Sequence, residues 1–227
     1  MKNNIPILQA IGIQKIFSGP ESLEILKDIS LEVFAGESIA IIGKSGSGKS
    51  SLLHILGTLD TPTKGTVSFP QMPASASFQS LRSSQIGFVF QSFHLLEDYT
   101  LIENILMPGK IARKGKEKIL VKRALDLLAQ VDLLEKKDYP VKLLSGGEKQ
   151  RASIARSLFN NPDILFVDEP TGSLDPINAR IVQNLLIESC KKHNKSLVLV
   201  THDEEFAACC DRVFILKDGI LTVPTPQ

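Results

Sequence analysis

Two stretches of this 227-residue chain hold the residue types that handle phosphate. Gly43-Lys44-Ser45-Gly46-Ser47-Gly48-Lys49-Ser50 fulfils the P-loop pattern at its Gly, Lys and Ser positions. Glycines let a backbone wrap closely round phosphate oxygens and turn its N–H groups inward. A helix starting at that point adds its N-terminal partial charge. Lys49 supplies a full positive charge to the β- and γ-phosphates, the Ser50 hydroxyl is a ligand for Mg²⁺, and Ser51 is placed to touch the α-phosphate. The second stretch, Ile164-Leu165-Phe166-Val167-Asp168-Glu169, is an apolar run ending in two carboxylates. In an open α/β sheet such a strand end opens beside the P-loop. Asp168 can then hold Mg²⁺ and Glu169 can polarise the attacking water.

A third stretch, Leu144-Ser145-Gly146-Gly147-Glu148-Lys149-Gln150-Arg151, reads locally as a helix start. Ser145 is the N-cap and Glu148 closes a capping box. Gly146 and Gly147 are poor helix formers, each about 1 kcal/mol worse than alanine in a helix interior. Their place in the first turn makes sense where a phosphate approaches the backbone.

The elements that must position these groups follow from hydrophobic periodicity. Residues 5–43 carry short β segments with turns at Gly19-Pro20 and Ala35-Gly36. Ser38 to Ile42 leads into the P-loop, and Ser50 to Leu59 follows as a helix. Residues 60–80 read as loops around a strand near Val67, Ile86 to Phe90 as a strand, and Lys110 to Lys118 as a basic surface loop. Ile119, Val121, Ala124, Leu125, Leu128 and Val131 mark an amphipathic helix with a core-facing stripe. A helix runs from the Ser145 cap to about Leu158. Strands at Ile164–Val167 and Leu197–Val200 alternate with a helix around Asn178–Cys190, and a hairpin joins Val213–Leu216 to Ile220–Val223. This alternation implies an α/β fold with a mostly parallel central sheet.

Composition bounds the alternatives. Hydrophobic residues are 43% and charged residues 22%, ordinary for a soluble globular chain. A net charge of +1 gives no electrostatic case for a nucleic-acid partner. No apolar run approaches the roughly 18 residues of a membrane span. Met1 to Gln9 lacks the apolar core of a signal peptide. Cys190, Cys209 and Cys210 make no C-x-x-C pair, and they read as reduced thiols of a cytoplasmic protein.

Ser145-Gly146-Gly147-Glu148-Lys149-Gln150 resembles the signature sequence of ABC ATPases, and other pieces agree in order and spacing. Gln91 resembles the family's Q-loop glutamine, Ser173-Leu174-Asp175 its D-loop and His202 its switch histidine. Phe17 stands where the family has an aromatic residue that stacks on adenine. The likeness covers about 8 to 220. It implies the P-loop NTPase fold of ABC ATPases: a mostly parallel sheet, an N-terminal antiparallel β subdomain and a helical signature subdomain. The chain would be one domain, 1–227, with the helical part inserted at about 92–160. By the same resemblance two copies pair head to tail around ATP. Gly43 to Ser51 of one copy then face Ser145, Gly146, Gly147 and Asp175 of the other. Glu169 would be the base, His202 would hold the γ-phosphate and water, and Gln91 would sense Mg²⁺ beside Ser50 and Asp168.

Within the family, Leu52 to Thr63, Ile86 to Leu96, Glu103-Asn104-Ile105 and Met107-Pro108 resemble the lipoprotein-releasing group, LolD, with MacB and FtsE types sharing nearly all these features. The implied role is a peripheral ATPase on the cytoplasmic face of a bacterial inner membrane, working with permease subunits of the LolC/LolE kind. The segment from Gln91 to Met107 would face them. Ser173, Lys149 and Ser51 depart from the residues common in relatives. DNA-acting ABC ATPases insert long coiled coils or zinc modules between the motifs, whereas Gly48 and Ser145 here are close together with no cysteine between them. A non-hydrolysing regulatory module is opposed by intact Asp168, Glu169 and His202.

Overall fold

A computed structural model describes residues 5–17, 19, 22–73, 76–113 and 115–224. The turn expected at Gly19-Pro20 falls outside them at Pro20. The N-terminal part is an antiparallel sheet of β1 (Leu8–Phe17), β2 (Leu23–Val33) and β4 (Lys64–Ser68), in the order β2-β1-β4. The expected short segments are thus two long strands, whose pairing shifts register three times between Ala10 and Ile16. Phe34 accepts from the Glu37 N–H at 3.0 Å, closing the turn expected at Ala35-Gly36, with Gly36 at φ 76°.

The central sheet runs β5 (Ile86–Val89), β6 (Ile164–Asp168), β7 (Ser196–Thr201), β3 (Ser38–Ile42), β8 (Arg212–Lys217) and β9 (Ile220–Thr222). All its pairings are parallel except β8 with β9, the expected hairpin. Strand pleat splits the core in two. Ile39, Ile41, Phe166, Val198 and Val200 point toward the antiparallel sheet and α1 (Lys49–Leu56). Ala40, Leu165, Val167, Leu197 and Leu199 point the other way. There they meet helices α3 (Leu101–Ile111), α4 (Glu117–Gln130), α5 (Gly146–Ser157) and α6 (Pro176–Lys192). These strands are buried on both faces, so their sequences are continuous apolar runs.

The mostly parallel sheet, antiparallel β unit and signature helix agree with expectation, and several boundaries do not. α1 stops at Leu56, not Leu59. A Cβ at its cap Gly57 would stand 2.2 Å from the Phe88 ring, so this residue is small because strand β5 crosses there. A short α2 (Phe78–Ser84) lies where a loop was expected. α3 was not foreseen, and while α4 takes Glu117 and Lys118 out of the expected basic loop, α3 takes Lys110 and Ile111. Pro108 and Gly109 disguise it, yet Thr100 and Glu103 form a full capping box at its start. Gly109 is required because a Cβ would lie 2.2 Å from Phe159. On α4 the core stripe is Ala124, Leu127 and Leu128, continued by Val131. Ile119, expected on that stripe, is 63% exposed.

Candidate nucleotide site

The strand order decides which loops meet. β3 lies beside β7, and β7 beside β6, with Ile42 opposite Thr201 and Asp168 opposite Val200. The loops that follow these strands carry the P-loop, His202 and Glu169. They leave the sheet at adjacent carboxyl ends, where open α/β sheets bind ligands.

The P-loop backbone bends through left-handed conformations at Gly46 (φ 78°) and Gly48 (φ 95°). Around Gly46 a Cβ would meet nothing within 4 Å, so backbone conformation alone calls for glycine there. At Gly43 the reason is crowding, since a Cβ would come within 2.4 Å of the Leu216 carbonyl oxygen. Helix α1 starts at Lys49 with no side-chain cap and no acid in its first turn. Its free N–H groups and dipole are left to an anion.

The charged groups converge from three strand ends. Lys49, only 7% exposed, donates to the carbonyls of Gly43 at 2.9 Å and Lys44 at 3.2 Å. Its Nζ lies 3.6 Å from Oε1 of Glu169. The other Glu169 oxygen, Oε2, accepts from the His202 backbone N–H at 3.2 Å and lies 2.7 Å from His202 Nδ1. Glu169 adopts φ 42°, while its own N–H remains in the sheet ladder, donating to Val200 at 2.9 Å. A non-glycine residue in that region is strained, and such strain clusters at working sites. His202 is steadied by its neighbour Asp203, which caps α7 (Glu204–Ala207) and accepts from Gln183 at 2.8 Å.

Ser50 Oγ donates to Asp168 Oδ1 at 3.1 Å. Burial pushes the Asp168 carboxyl above the ordinary aspartate value, with the Ser50 hydrogen bond pulling the other way. A buried carboxylate hydrogen-bonded to a hydroxyl is a hard oxygen donor set. That is what a magnesium ion needs, so these residues fit the ion the motif implies. Gln91 is brought alongside by Gly172, where a Cβ would stand 3.3 Å from Gln91 Nε2.

Together these residues border a cavity of about 720 Å³. Its walls include Phe17, Gly43, Lys44, Ser45, Gly46, Gly48, Lys49, Ser50, Ser51, Gln91, Glu169 and His202 from the expected set. Leu23, Ile25 and Gly172 complete the walls and were not expected. No chemical type marks Leu23 or Ile25, but pairing of Phe17 with Leu23 in the β1–β2 register places them there. Ser47 turns its Oγ into the protein, where it is buried. Asp168 sits behind Ser50 rather than on the wall.

Ser145, Gly146, Gly147 and Asp175 are not on this cavity. Ser145 caps α5: its hydroxyl accepts from the Glu148 N–H at 3.3 Å, and Glu148 accepts from the Ser145 N–H at 2.9 Å. Lys136 pairs with Glu148 at 2.5 Å. Asp175 caps α6, accepting from Ile177 and Asn178 N–H at 3.1 Å each and from Asn178 Nδ2 at 2.6 Å. The Asn178 side-chain bond, first among several, holds its carboxyl below the usual range. The same Asn178 lies against Gly147, where a Cβ would stand 2.4 Å from its Oδ1. The two caps are therefore locked together through Gly147.

A family model described as ABC transporter matches residues 26–172. A lipoprotein-releasing system ATP-binding protein LolD from Protochlamydia amoebophila is 49% identical over 95% of this chain and 96% of its own length. A LolD from Treponema denticola is 44% identical over 92% of this chain and 95% of its own. Among solved structures, the dimeric ATP-binding cassette MJ0796 bound to ADP and Pi superposes with a TM-score of 0.85. It is 34% identical, and the match covers 95% of this chain and 98% of that one.

Proposed function

The chain belongs to the ABC transporter family as an ATP-hydrolysing cassette, and on that footing we propose that it powers lipoprotein release from a bacterial inner membrane. The carrying observation for hydrolysis is the convergence of Lys49, Glu169 and His202 on one cavity beside the Ser50–Asp168 pair. The likeness to lipoprotein-releasing ATPases over nearly the whole chain supports the cargo. Among the described residues no helix is long and apolar enough to cross a membrane. The chain in this reading sits on the cytoplasmic face, held by permease subunits of the LolC/LolE kind against the segment from Gln91 to Met107.

In this reading the P-loop N–H groups and Lys49 bind the phosphates, and Ser51 touches the α-phosphate. Phe17 stacks on the adenine. Ser50, Asp168 and Gln91 would hold Mg²⁺, which would neutralise charge on the triphosphate. Oε2 of Glu169 is taken by two His202 nitrogens, so Oε1 is the atom that receives the water proton. With His202 Nδ1 donating to Oε2, Nε2 is left for the γ-phosphate, to which it donates when the ring carries both protons. Ser145, Gly146, Gly147 and Asp175 complete the site from a second copy; residues 92–160 form the helical unit that presents the first three, and Asp175 comes from the start of α6.

Affinity purification from detergent-solubilised membranes tests the partner. The expected result is recovery with two homologous integral subunits and ATP-dependent lipoprotein release from proteoliposomes. Recovery with a division-type membrane partner instead would overturn the cargo assignment and leave the ATPase reading intact.

A further inference from the structure

Lys15 lies two residues before Phe17 on β1, and its ammonium stands over the Phe17 ring, 5.5 Å from the centroid. That ammonium is not free to wander. Its Nζ contacts Asp60 Oδ2 at 2.7 Å and Oδ1 at 2.9 Å, and it donates to the Thr61 carbonyl at 2.9 Å. The Lys15 side chain is only 12% exposed, while Phe17 is 50% exposed. The lysine hydrogen bond, first among several causes, holds the Asp60 carboxyl below the usual aspartate value, so this carboxylate stays charged at neutral pH.

The clamp continues along the strand. Ile16 N–H donates to Thr63 Oγ1 at 3.0 Å, and Thr63 N–H donates to the Gln14 carbonyl at 2.8 Å. Residues 60–63 descend directly from α1, since Leu59 and Asp60 N–H groups still reach the His54 carbonyl. The helix that begins at the P-loop therefore ends by gripping the strand that carries Phe17.

We propose that Lys15, anchored by Asp60, is a positioning residue for the nucleotide base: it covers one face of Phe17 and fixes the other face at a set distance from the P-loop. This rests on Phe17 being the base-stacking residue. An ammonium on one face draws ring electron density toward itself. The opposite face then meets a purine with less π repulsion, and the base has only one side on which to stack. The ion pair also makes the separation between ring and phosphate loop a fixed length, because both ends belong to one hydrogen-bonded segment.

The test compares ATP with inorganic triphosphate, which has the phosphates and no base, across Lys15→Met, Lys15→Arg, Phe17→Leu and the Lys15→Met/Phe17→Leu double variant. Lys15→Met is expected to weaken ATP binding about three- to tenfold, appearing in KM with kcat within about twofold. Triphosphate binding stays at the wild-type level and Lys15→Arg restores most of the ATP affinity. In the Phe17→Leu background Lys15→Met adds nothing, because the ring it positions is gone. Equal losses for ATP and triphosphate, or fully additive losses for ATP, overturn the proposal in favour of a general packing role. If Phe17→Leu weakens ATP but Lys15→Met does not, the positioning role alone falls. If Phe17→Leu leaves ATP binding intact, the stacking reading falls and this proposal with it.

Discussion

His202 holds one oxygen of Glu169 from two directions, with Nδ1 at 2.7 Å and the backbone N–H at 3.2 Å from Oε2. The backbone donor belongs to the β7 exit and survives any change of the His202 side chain. Orientation of the carboxylate and delivery of an imidazole are therefore separable by mutation.

Glu169→Gln keeps the shape of the side chain and removes its basicity. ATP turnover is expected to fall at least about a hundredfold, with ATP binding retained. An ATP-dependent dimer should accumulate on size-exclusion chromatography. His202→Ala should reduce turnover less than Glu169→Gln, since the backbone N–H still orients Oε2. Wild-type turnover in Glu169→Gln would remove Glu169 from the role of base.

Asp168 carries a stability signature. Its carboxyl is raised above 3.8 by burial. The native state then favours the protonated form, and this contribution is present below the unfolded value and lost as pH rises through the folded one. At neutral pH the ionised side chain burdens the protein without metal. Asp168→Asn should therefore raise the thermal midpoint of the nucleotide-free protein at pH 7, with the gain shrinking as pH falls toward 3.8. Added Mg²⁺ and ATP should stabilise the wild type more than the variant. A lower midpoint for Asp168→Asn at pH 7 contradicts this account.

Gly57→Ala tests the crossing of α1 and β5. The backbone there is ordinary, at φ −83°, so the effect is steric alone. Phe88 cannot swing aside, because it stacks on Phe90 at 5.5 Å and on Phe166 at 5.3 Å between centroids. Denaturant unfolding should show a loss of about 1–3 kcal/mol. A neutral result would mean that α1 shifts bodily away from β5.

The two capping boxes form a matched pair. Thr100 and Glu103 start α3 with the same bonds by which Ser145 and Glu148 start α5. Alanine at Thr100 or at Ser145 should lower stability similarly, by about 1 kcal/mol. Only Ser145→Ala should also impair ATP-driven dimerisation, measured by light scattering. Equal impairment by both would reduce the Ser145 hydroxyl to a helix cap.

The phosphate half of the cavity was legible because its chemistry is local: P-loop spacing and an apolar strand ending in Asp168-Glu169. Ser145 with Glu148 was legible as a helix cap. Strand positions were legible for a related reason, since strands covered on both faces read as apolar runs. α3 was obscured by Pro108 and by Gly109, whose type answers to Phe159 and not to helix propensity. Its Thr100–Glu103 box was the available signal. Leu23, Ile25, Lys15 and Asp60 were illegible as site residues. Strand register and a contact between β1 and the α1 exit bring them in, and neither is written in local sequence.

The cavity is walled by two separate sheets, bridged where the Lys27 N–H of β2 donates to the Gly219 carbonyl at 2.8 Å and Arg212 of β8 donates to the Glu32 carbonyl at 3.1 Å. Phe17, Leu23 and Ile25 come from the antiparallel sheet, while the P-loop, Glu169 and His202 hang from the parallel one. They touch closely at Gly48, where a Cβ would stand 3.1 Å from Leu26 and 3.2 Å from the Ile25 carbonyl oxygen. Under the proposed stacking role of Phe17, the base and the phosphates would be held by separate pieces of architecture. Changes on β1 and β2 should then alter the grip on the base without retuning the hydrolytic machinery, provided Gly48, where the pieces touch, is left alone.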